Sequence, residues 1–543
     1  MMTLVRPSVV HYAVFFAVLA AACLLTGGRA ESPVTERHDK VVIALPPPSP
    51  ETNRIWLGSS PSYIQAEPYL ESLLSNDPVT GETTPSLAVS WEHSEDRREW
   101  TFQLREGVQF HHGWGEFTSA DVLHSHRLWS DPASAEQFQS LWAHTEVEAN
   151  GPYEVTFRFP SPEVFGPDLF DRRAGIGFIF SHAQYEAEGL AGIDAKPTGT
   201  GRYMYVDRSD GEKILFERNP DHWSGTLGHF RQIEMRWEPE GSTRLALVRT
   251  GEADIAEVAR ELHRQAEAAG LEILRSPRLN YQAFLIFGGM HLSSAEADTD
   301  LSFPWLADAR VRGAFNLAIN RDEIIEYIYD GDAVPLYNTG MVEGEEGWND
   351  AWVTDYDEYY GYDPERAVEL IREAGYEPAD LKPTLMSFEI PGSPEWGPLQ
   401  EAVQLYLFDI GITAEILETD FATYSDIALA RRSAGYIIPL RNTPIRRPHE
   451  LFRALAVSGT IYTFYATDET DALVAEWGAE TDTERRHELA RQVGDNLYYD
   501  WGTMPIAQLQ KALVVNPDSI GGWTFPGLTS AGLTHFELIE PAE

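Results

Sequence analysis

The segment Pro85-Ser-Leu-Ala-Val-Ser-Trp91, followed by Trp100-Thr-Phe-Gln-Leu-Arg105, Val108-Gln-Phe-His-His-Gly113 and Phe117-Thr-Ser-Ala-Asp-Val122, decides how this chain is read. Apolar and polar residues alternate from Trp100 to Leu104, Glu106-Gly107 marks a turn, and Val108 to Phe110 resumes the pattern. A period of two broken by a glycine turn predicts a β-hairpin, and the stretch from Ser119 to Trp129 after it predicts a capped helix.

Strand-like and helix-like stretches alternate outward from this point. Val41 to Leu45 is a short apolar strand stopped by Pro46-Pro47-Pro48, and Glu154 to Phe159, Lys213 to Glu217 and Gln232 to Trp237 are further strands. Helices are expected over Ser242 to Arg249, Asp308 to Tyr329, Pro364 to Ala374 and Leu399 to Asp409. Asp363-Pro364 supplies a cap with proline in the first turn, and Gly375 and Gly411 stand where helices stop. No period of 20 to 50 residues recurs, which disfavours a solenoid or propeller.

Single hydrophobic cores stop growing near ~250 to 300 residues. A chain of 543 residues therefore needs at least two large lobes. The first 30 residues read as a secretory signal, with Arg6 ahead of an apolar run from Val9 to Leu25 and Gly28-Arg29-Ala30 as a small-residue cleavage site. Ala20-Ala21-Ala22-Cys23 distantly resembles a lipoprotein box, so Cys23 is the alternative, as a lipid anchor. It is also the only cysteine, which leaves the mature chain without disulfides or thiol chemistry. The net charge of −44 excludes a nucleic-acid role built on phosphate neutralisation. Only five lysines occur (Lys40, Lys196, Lys213, Lys382 and Lys511), so arginine carries nearly all the positive charge. This suits work outside the cell in saline water, and a codon bias towards arginine accounts for it equally well.

The opening blocks resemble the extracellular solute-binding proteins of peptide-, nickel- and opine-type ABC importers, whose pattern is close to P-x-L-A-x-S-W, F-x-L-R-x-G-V-x-F-x-D-G and F-T-A-x-D-V. Further blocks continue the likeness in order: Pro197-Thr-Gly-Thr-Gly-Arg-Tyr203, Arg218-Asn-Pro-Asp-His-Trp223, Leu247-Val-Arg-Thr-Gly-Glu-Ala-Asp-Ile255, Asp308-Ala-Arg-Val-Arg312, Ala318-Ile-Asn-Arg321, Tyr362-Asp-Pro-Glu-Arg-Ala367 and Ala374-Gly-Tyr376. The resemblance implies an α/β, periplasmic-binding-protein-like (type II) fold. Two lobes would each hold a mixed β-sheet flanked by helices, with an extra subdomain in lobe one. The expected division is a signal peptide over 1–30, lobe one over 31–280, lobe two over 281–500 and a return to lobe one over 501–543. The crossings would fall near Leu279 to Phe287 and Trp501 to Ala512.

Other chemistry is weaker. His111-His112 with His124-x-His126 is the densest imidazole cluster, but residues two apart on a helix face different ways and cannot reach one ion. Thr198-Gly-Thr-Gly201 could pass for a phosphate cradle, yet no Gly-Lys-Ser/Thr follows, and a tight turn is the better account. G-x-S-x-G, H-E-x-x-H and S-x-x-K are absent. No catalytic residue, metal or cofactor is therefore expected.

The resemblance also implies a binding cleft between the lobes. Peptide-binding relatives place an aspartate in lobe two against the ligand's α-amino group, whereas the corresponding region here, Gly435 to His449, contains Arg441, Arg446 and Arg447 and no acid through Pro448. Guanidinium forks pair with carboxylates, so this departure points to an anionic solute or a peptide held by its carboxylate; the alternative is that these arginines neutralise an acidic surface. Aromatic candidates for the cleft wall are Trp56, Tyr63, Trp396, Tyr462 and Trp501, each of which could equally be core packing, and stacked aromatics would also suit an oligosaccharide. The expected protein is a non-catalytic, exported, periplasmic or extracellular monomer that captures a peptide-like solute and delivers it to ABC permease subunits. A secreted enzyme on the same fold is the rival from another class, and a sensor shares the binding step.

Overall fold

The computed structural model describes residues 39–58, 60–136, 138–171, 177–279, 281–294, 303–390, 393–442, 448–460, 462–525 and 533–543. The expected signal sequence and Cys23 lie outside them. Strand Lys40–Leu45 runs parallel to Gln232–Trp237 on one side and to Ile255–Ala256 on the other. These belong to a seven-stranded mixed sheet, completed by Lys213–Arg218 and Tyr203–Ser209 at one end and by Ala512–Val515 and Glu272–Arg275 at the other. Its apolar run needs both faces covered. Val41, Ile43 and Leu45 enter the large core of lobe one, while Val42 and Ala44 meet Leu245 and Val248 of helix Gly241–Thr250 in a smaller core.

The extra subdomain is a four-stranded antiparallel sheet in the order Ala88–His93, Glu99–Leu104, Glu154–Arg158, Glu146–Gly151. Trp100, Phe102 and Leu104 turn inward together, as their alternation requires. The hairpin partner differs from expectation. Both edges of Glu99–Leu104 are taken by Ala88–His93 and Glu154–Arg158. After the turn at Gly107 (φ +80°) the chain instead folds on itself, Phe110 N–H donating to the Gly115 carbonyl and Phe117 N–H to that of Val108, both at 2.8 Å. Helix Ser119–Trp129 follows, and the Asp121 carboxylate accepts from the N–H of Thr118 at its cap and from the N–H of His182, each at 2.8 Å. That one side chain fixes the helix start and ties it to the next helix, His182–Ala195.

Lobe two is built on a six-stranded sheet in the order Val334–Pro335, Thr503–Leu509, Tyr281–Phe287, Tyr436–Asn442, Thr384–Ser387, Glu415–Glu418. Every residue of Tyr281–Phe287 is buried. Its single polar member, Gln282, donates to the Met341 carbonyl and accepts from Gly340 N–H and Asn442 Nδ2. The helix expected over Asp308 to Tyr329 is two helices, Ala309–Leu317 and Arg321–Tyr327. Asn320 caps the second, and the buried Arg321 guanidinium turns inward to donate to the carbonyls of Asn316, Tyr360 and Pro505.

The chain passes between the sheets twice, after Arg275 and again at Gln510-Lys511. The second passage was expected from residue 501, but Thr503–Leu509 pairs with Tyr281–Phe287 and so belongs to lobe two. The two crossings are stitched side by side: Ser276 N–H donates to the Lys511 carbonyl at 2.8 Å, and Ser276 Oγ accepts from Lys511 N–H at 2.9 Å.

Candidate functional site

The lobes meet along a seam in which ionised groups of opposite sign face one another. Along one part of it lobe one contributes arginines and lobe two carboxylates: Arg244 pairs with Glu389 at 2.6 Å, Arg260 with Glu395 at 2.8 Å and Asp332 at 3.4 Å, Arg275 with Asp332 at 3.0 Å, and Arg264 with Asp330. Arg244 is fully buried, and its other donors go to the carbonyls of Glu238, Pro239 and Glu257. Loss of solvent costs a buried guanidinium free energy that its partners must offset, so removing Glu389 leaves the buried Arg244 charge uncompensated.

Beside these pairs lies Lys511, on the returning crossing, 3.6 Å from the buried Glu257 carboxylate. Burial pushes its ammonium down to about 8, Glu257 opposing the shift. Glu389 moves the other way: burial raises its carboxyl in spite of Arg244, and Glu257 and Glu395 add to the rise. Arg441, in strand Tyr436–Asn442, reaches the same place. Its Nη1 donates to Ser393 Oγ at 3.0 Å, and Tyr281 Oη donates to the same oxygen at 2.8 Å. The Arg441 charge also acts on Tyr281, whose hydroxyl burial pushes up to about 12, and on Lys511.

A second region of the seam borders an open cavity of about 600 Å³. Loop Thr80–Thr83 and Phe165 of lobe one form one wall, and His449, Trp477, Glu346 and Arg486 of lobe two the other. The rings of Phe165 and His449 lie 5.0 Å apart, His449 and Trp477 the same, and the Glu346 carboxylate accepts from Trp477 Nε1 at 3.1 Å and Arg486 Nε at 2.8 Å. Burial pushes His449 down to about 3, which keeps it neutral. Helix Pro448–Leu455 carries this wall across the seam: Arg453 contacts Glu163 and lies over Phe138, while Ala454 packs into the core of lobe one.

Of the residues singled out from sequence, Arg441 stands at the seam, and Arg446 lies outside the described residues. The aromatic candidates are spread through the two cores. Trp56 packs edge-on against Phe180 at 5.1 Å and Tyr63 against Phe178 at 6.0 Å, both buried in lobe one. Trp396 is buried against Phe388, and Tyr462 lies against Phe421 and Tyr424 with its hydroxyl 2.9 Å from Ser425 Oγ. Trp501 donates from Nε1 to the Tyr359 carbonyl within lobe two. Neither these five nor Arg441 is among the described residues lining the 600 Å³ cavity. The histidines have separate partners too. The His124 ring lies tilted against Tyr185 at 4.6 Å, His126 Nε2 is 3.1 Å from the Trp142 carbonyl, and His111 Nε2 is 2.8 Å from that of Gly201. Gly199 and Gly201 are packing residues: a Cβ on either would stand 2.0 or 2.7 Å from the carbonyl oxygens of Tyr69 and Pro68.

The seam charges were missed from sequence, apart from Arg441. Lys511 carried the one available signal, a rare lysine at the head of the apolar run Ala512-Leu-Val-Val515. Glu389, Glu395, Arg244 and Arg260 carried none, because acids and arginines are common everywhere in this chain.

The dipeptide-binding protein of Escherichia coli (strain K12) is 26% identical over 371 residues, 64% of this chain. The match spans 65% of that protein's length. Among solved structures, the periplasmic binding protein DppA from Helicobacter pylori in complex with peptide STSA gives a TM-score of 0.76 at 22% identity, covering 93% of this chain and 98% of the other. AgaA from A. tumefaciens R10, in complex with agropinic acid, gives 0.76 at 19%, covering 92% and 98%. These likenesses establish a periplasmic-binding-protein fold. The model of bacterial extracellular solute-binding proteins, family 5, matches residues 82–447, more than half of the chain, and the chain belongs to that family.

Proposed function

We propose that this protein is an exported receptor that captures a peptide-like solute between its lobes and delivers it to the membrane permease of an ABC importer. The observation that carries this reading is the seam. Two lobes joined by two short adjacent crossings present buried, oppositely charged surfaces and a cavity to each other, an arrangement suited to closing on a small molecule. Solute that touches both lobes only when they are closed shifts the population towards closure by that differential affinity. The receptor works without turnover and as a monomer. The leader directs export, with Gly28-Arg29-Ala30 as the cleavage site and Cys23 as the lipid-anchor alternative; among the described residues no helix is long and apolar enough to cross a membrane.

Arg441 favours a solute held through a carboxylate, either a peptide by its C-terminus or a carboxylic acid of the kind bound by the A. tumefaciens relative. Native mass spectrometry of freshly purified protein tests the reading. A complex heavier than the mature chain by the mass of a small carboxylate-bearing solute, released on unfolding, is expected. A bare chain that binds no member of a di- and tripeptide pool, or one that hydrolyses them, overturns it.

A further inference from the structure

The extra subdomain of lobe one holds lobe two by a contact of its own. After strand Glu154–Arg158 the chain is tied back to that subdomain: Phe159 N–H donates to the Arg98 carbonyl at 2.8 Å, Glu163 N–H to that of Arg97 at 2.9 Å, and the Glu163 carbonyl accepts from Trp100 Nε1 at 3.0 Å. Gly166 follows, where a Cβ would collide with the Trp100 ring. Residues 163–165 are therefore anchored on one lobe, and their free groups meet the other. The buried Glu163 carboxylate contacts Arg453 of helix Pro448–Leu455, Val164 N–H donates to the Gly478 carbonyl at 3.4 Å, and the Phe165 ring lies 5.0 Å from His449 with the Arg486 guanidinium 5.7 Å away. The helix is itself divided, with Leu451 and Phe452 in the core of lobe two and Ala454 in that of lobe one.

All of these contacts are made between the chain's own residues, so they favour the closed arrangement whether or not solute is bound. Phe165 and His449 also line the 600 Å³ cavity, which places the contact at its wall. We propose that residues 163–165 and helix Pro448–Leu455 form a latch, centred on the Glu163–Arg453 pair, that biases the lobes towards closure before solute arrives and sets how readily the cavity opens. The proposal rests on the receptor reading, which supplies the opening of the lobes. On opening, both ions of the pair regain water. In the closed form, among the described residues, Glu163 Oε1 and Arg453 Nε and Nη2 have no other hydrogen bond, so the two charges compensate each other alone. Removing one of them penalises only the closed form, whereas replacing both by apolar side chains leaves no buried charge to compensate.

The test is single-molecule energy transfer on the solute-free mature protein, with dyes on cysteines at Asp207 of lobe one and Glu418 of lobe two, and near-ultraviolet circular dichroism on the same preparations. The wild type should divide between a short- and a long-distance population. Glu163→Ala is expected to lower the ratio of short to long by at least ~10-fold, and the double variant Glu163→Leu, Arg453→Met to return it to the wild-type level or above. An unchanged ratio in Glu163→Ala overturns the latch, as does a double variant that stays as open as the single one. Loss of the near-ultraviolet signal in Glu163→Ala that the double variant does not recover assigns the pair to folding and overturns it too, and so does a single short-distance population that no variant shifts, the mark of a permanent interface. The readout needs no solute, so the latch can fail while the receptor reading stands; that reading fails instead on the absence of binding from a di- and tripeptide pool.

Discussion

Arg441 and Lys511 show how single charges shape the seam. Arg441 shares Ser393 Oγ with Tyr281, so its guanidinium is held where strand Tyr436–Asn442 meets the crossing into lobe two. A hydrogen bond to a charged group contributes about 1.5 to 3 kcal/mol, which is ~10- to 100-fold in affinity. Arg441→Ala should therefore weaken binding of a free-carboxylate peptide by at least ~10-fold and leave the C-terminal amide of the same peptide nearly unaffected, as read by calorimetry; equal losses for both would remove Arg441 from carboxylate recognition. Lys511 gives a pH signature. Its folded value of about 8 lies below the ordinary 10.5, so between these values the unfolded chain holds a proton that the folded chain has released. Stability from this group therefore rises as pH increases through that window, by up to ~1.4 kcal/mol per pH unit. The melting temperature of Lys511→Met should lack this contribution between pH 8 and 9.5, and a slope identical to wild type would contradict the assignment.

At the scale of elements, most of the fold was legible, and the exceptions have one cause. Lys40–Leu45, Gln232–Trp237, Ser119–Trp129 and Pro364–Glu373 follow from period, proline and cap, all of which are local in sequence. The break at Ala318 to Asn320 is not local, because Arg321 donates both to the Asn316 carbonyl at the break and to the distant carbonyls of Tyr360 and Pro505. Likewise Val108 to Phe110 alternates well enough for a strand, but its intended edge is occupied by strands from elsewhere. Arg321→Leu should cost about 3 kcal/mol or more by leaving buried carbonyls without donors. A urea midpoint within error of wild type would show that those bonds are replaceable.

For the whole molecule, sequence identified the architecture better than the site. Aromatic residues look alike on paper whether they line a cleft or fill a core, and Trp56, Tyr63, Trp396, Tyr462 and Trp501 all went into packing. The seam charges had the opposite problem, since 85 acidic residues hide the few that cross between lobes. What joins the two scales is the pair of crossings at Ser276 and Lys511, about which the proposed closure would turn, with Arg244, Arg260 and helix Pro448–Leu455 bridging the lobes. Single-molecule energy transfer tests this most directly, with dyes on cysteines placed at the exposed Asp207 in lobe one and Glu418 in lobe two of the mature protein. Saturating a solute that binds by calorimetry should shift the distribution towards one short-distance population; a bound solute that leaves the distribution unchanged would contradict closure as the means of capture.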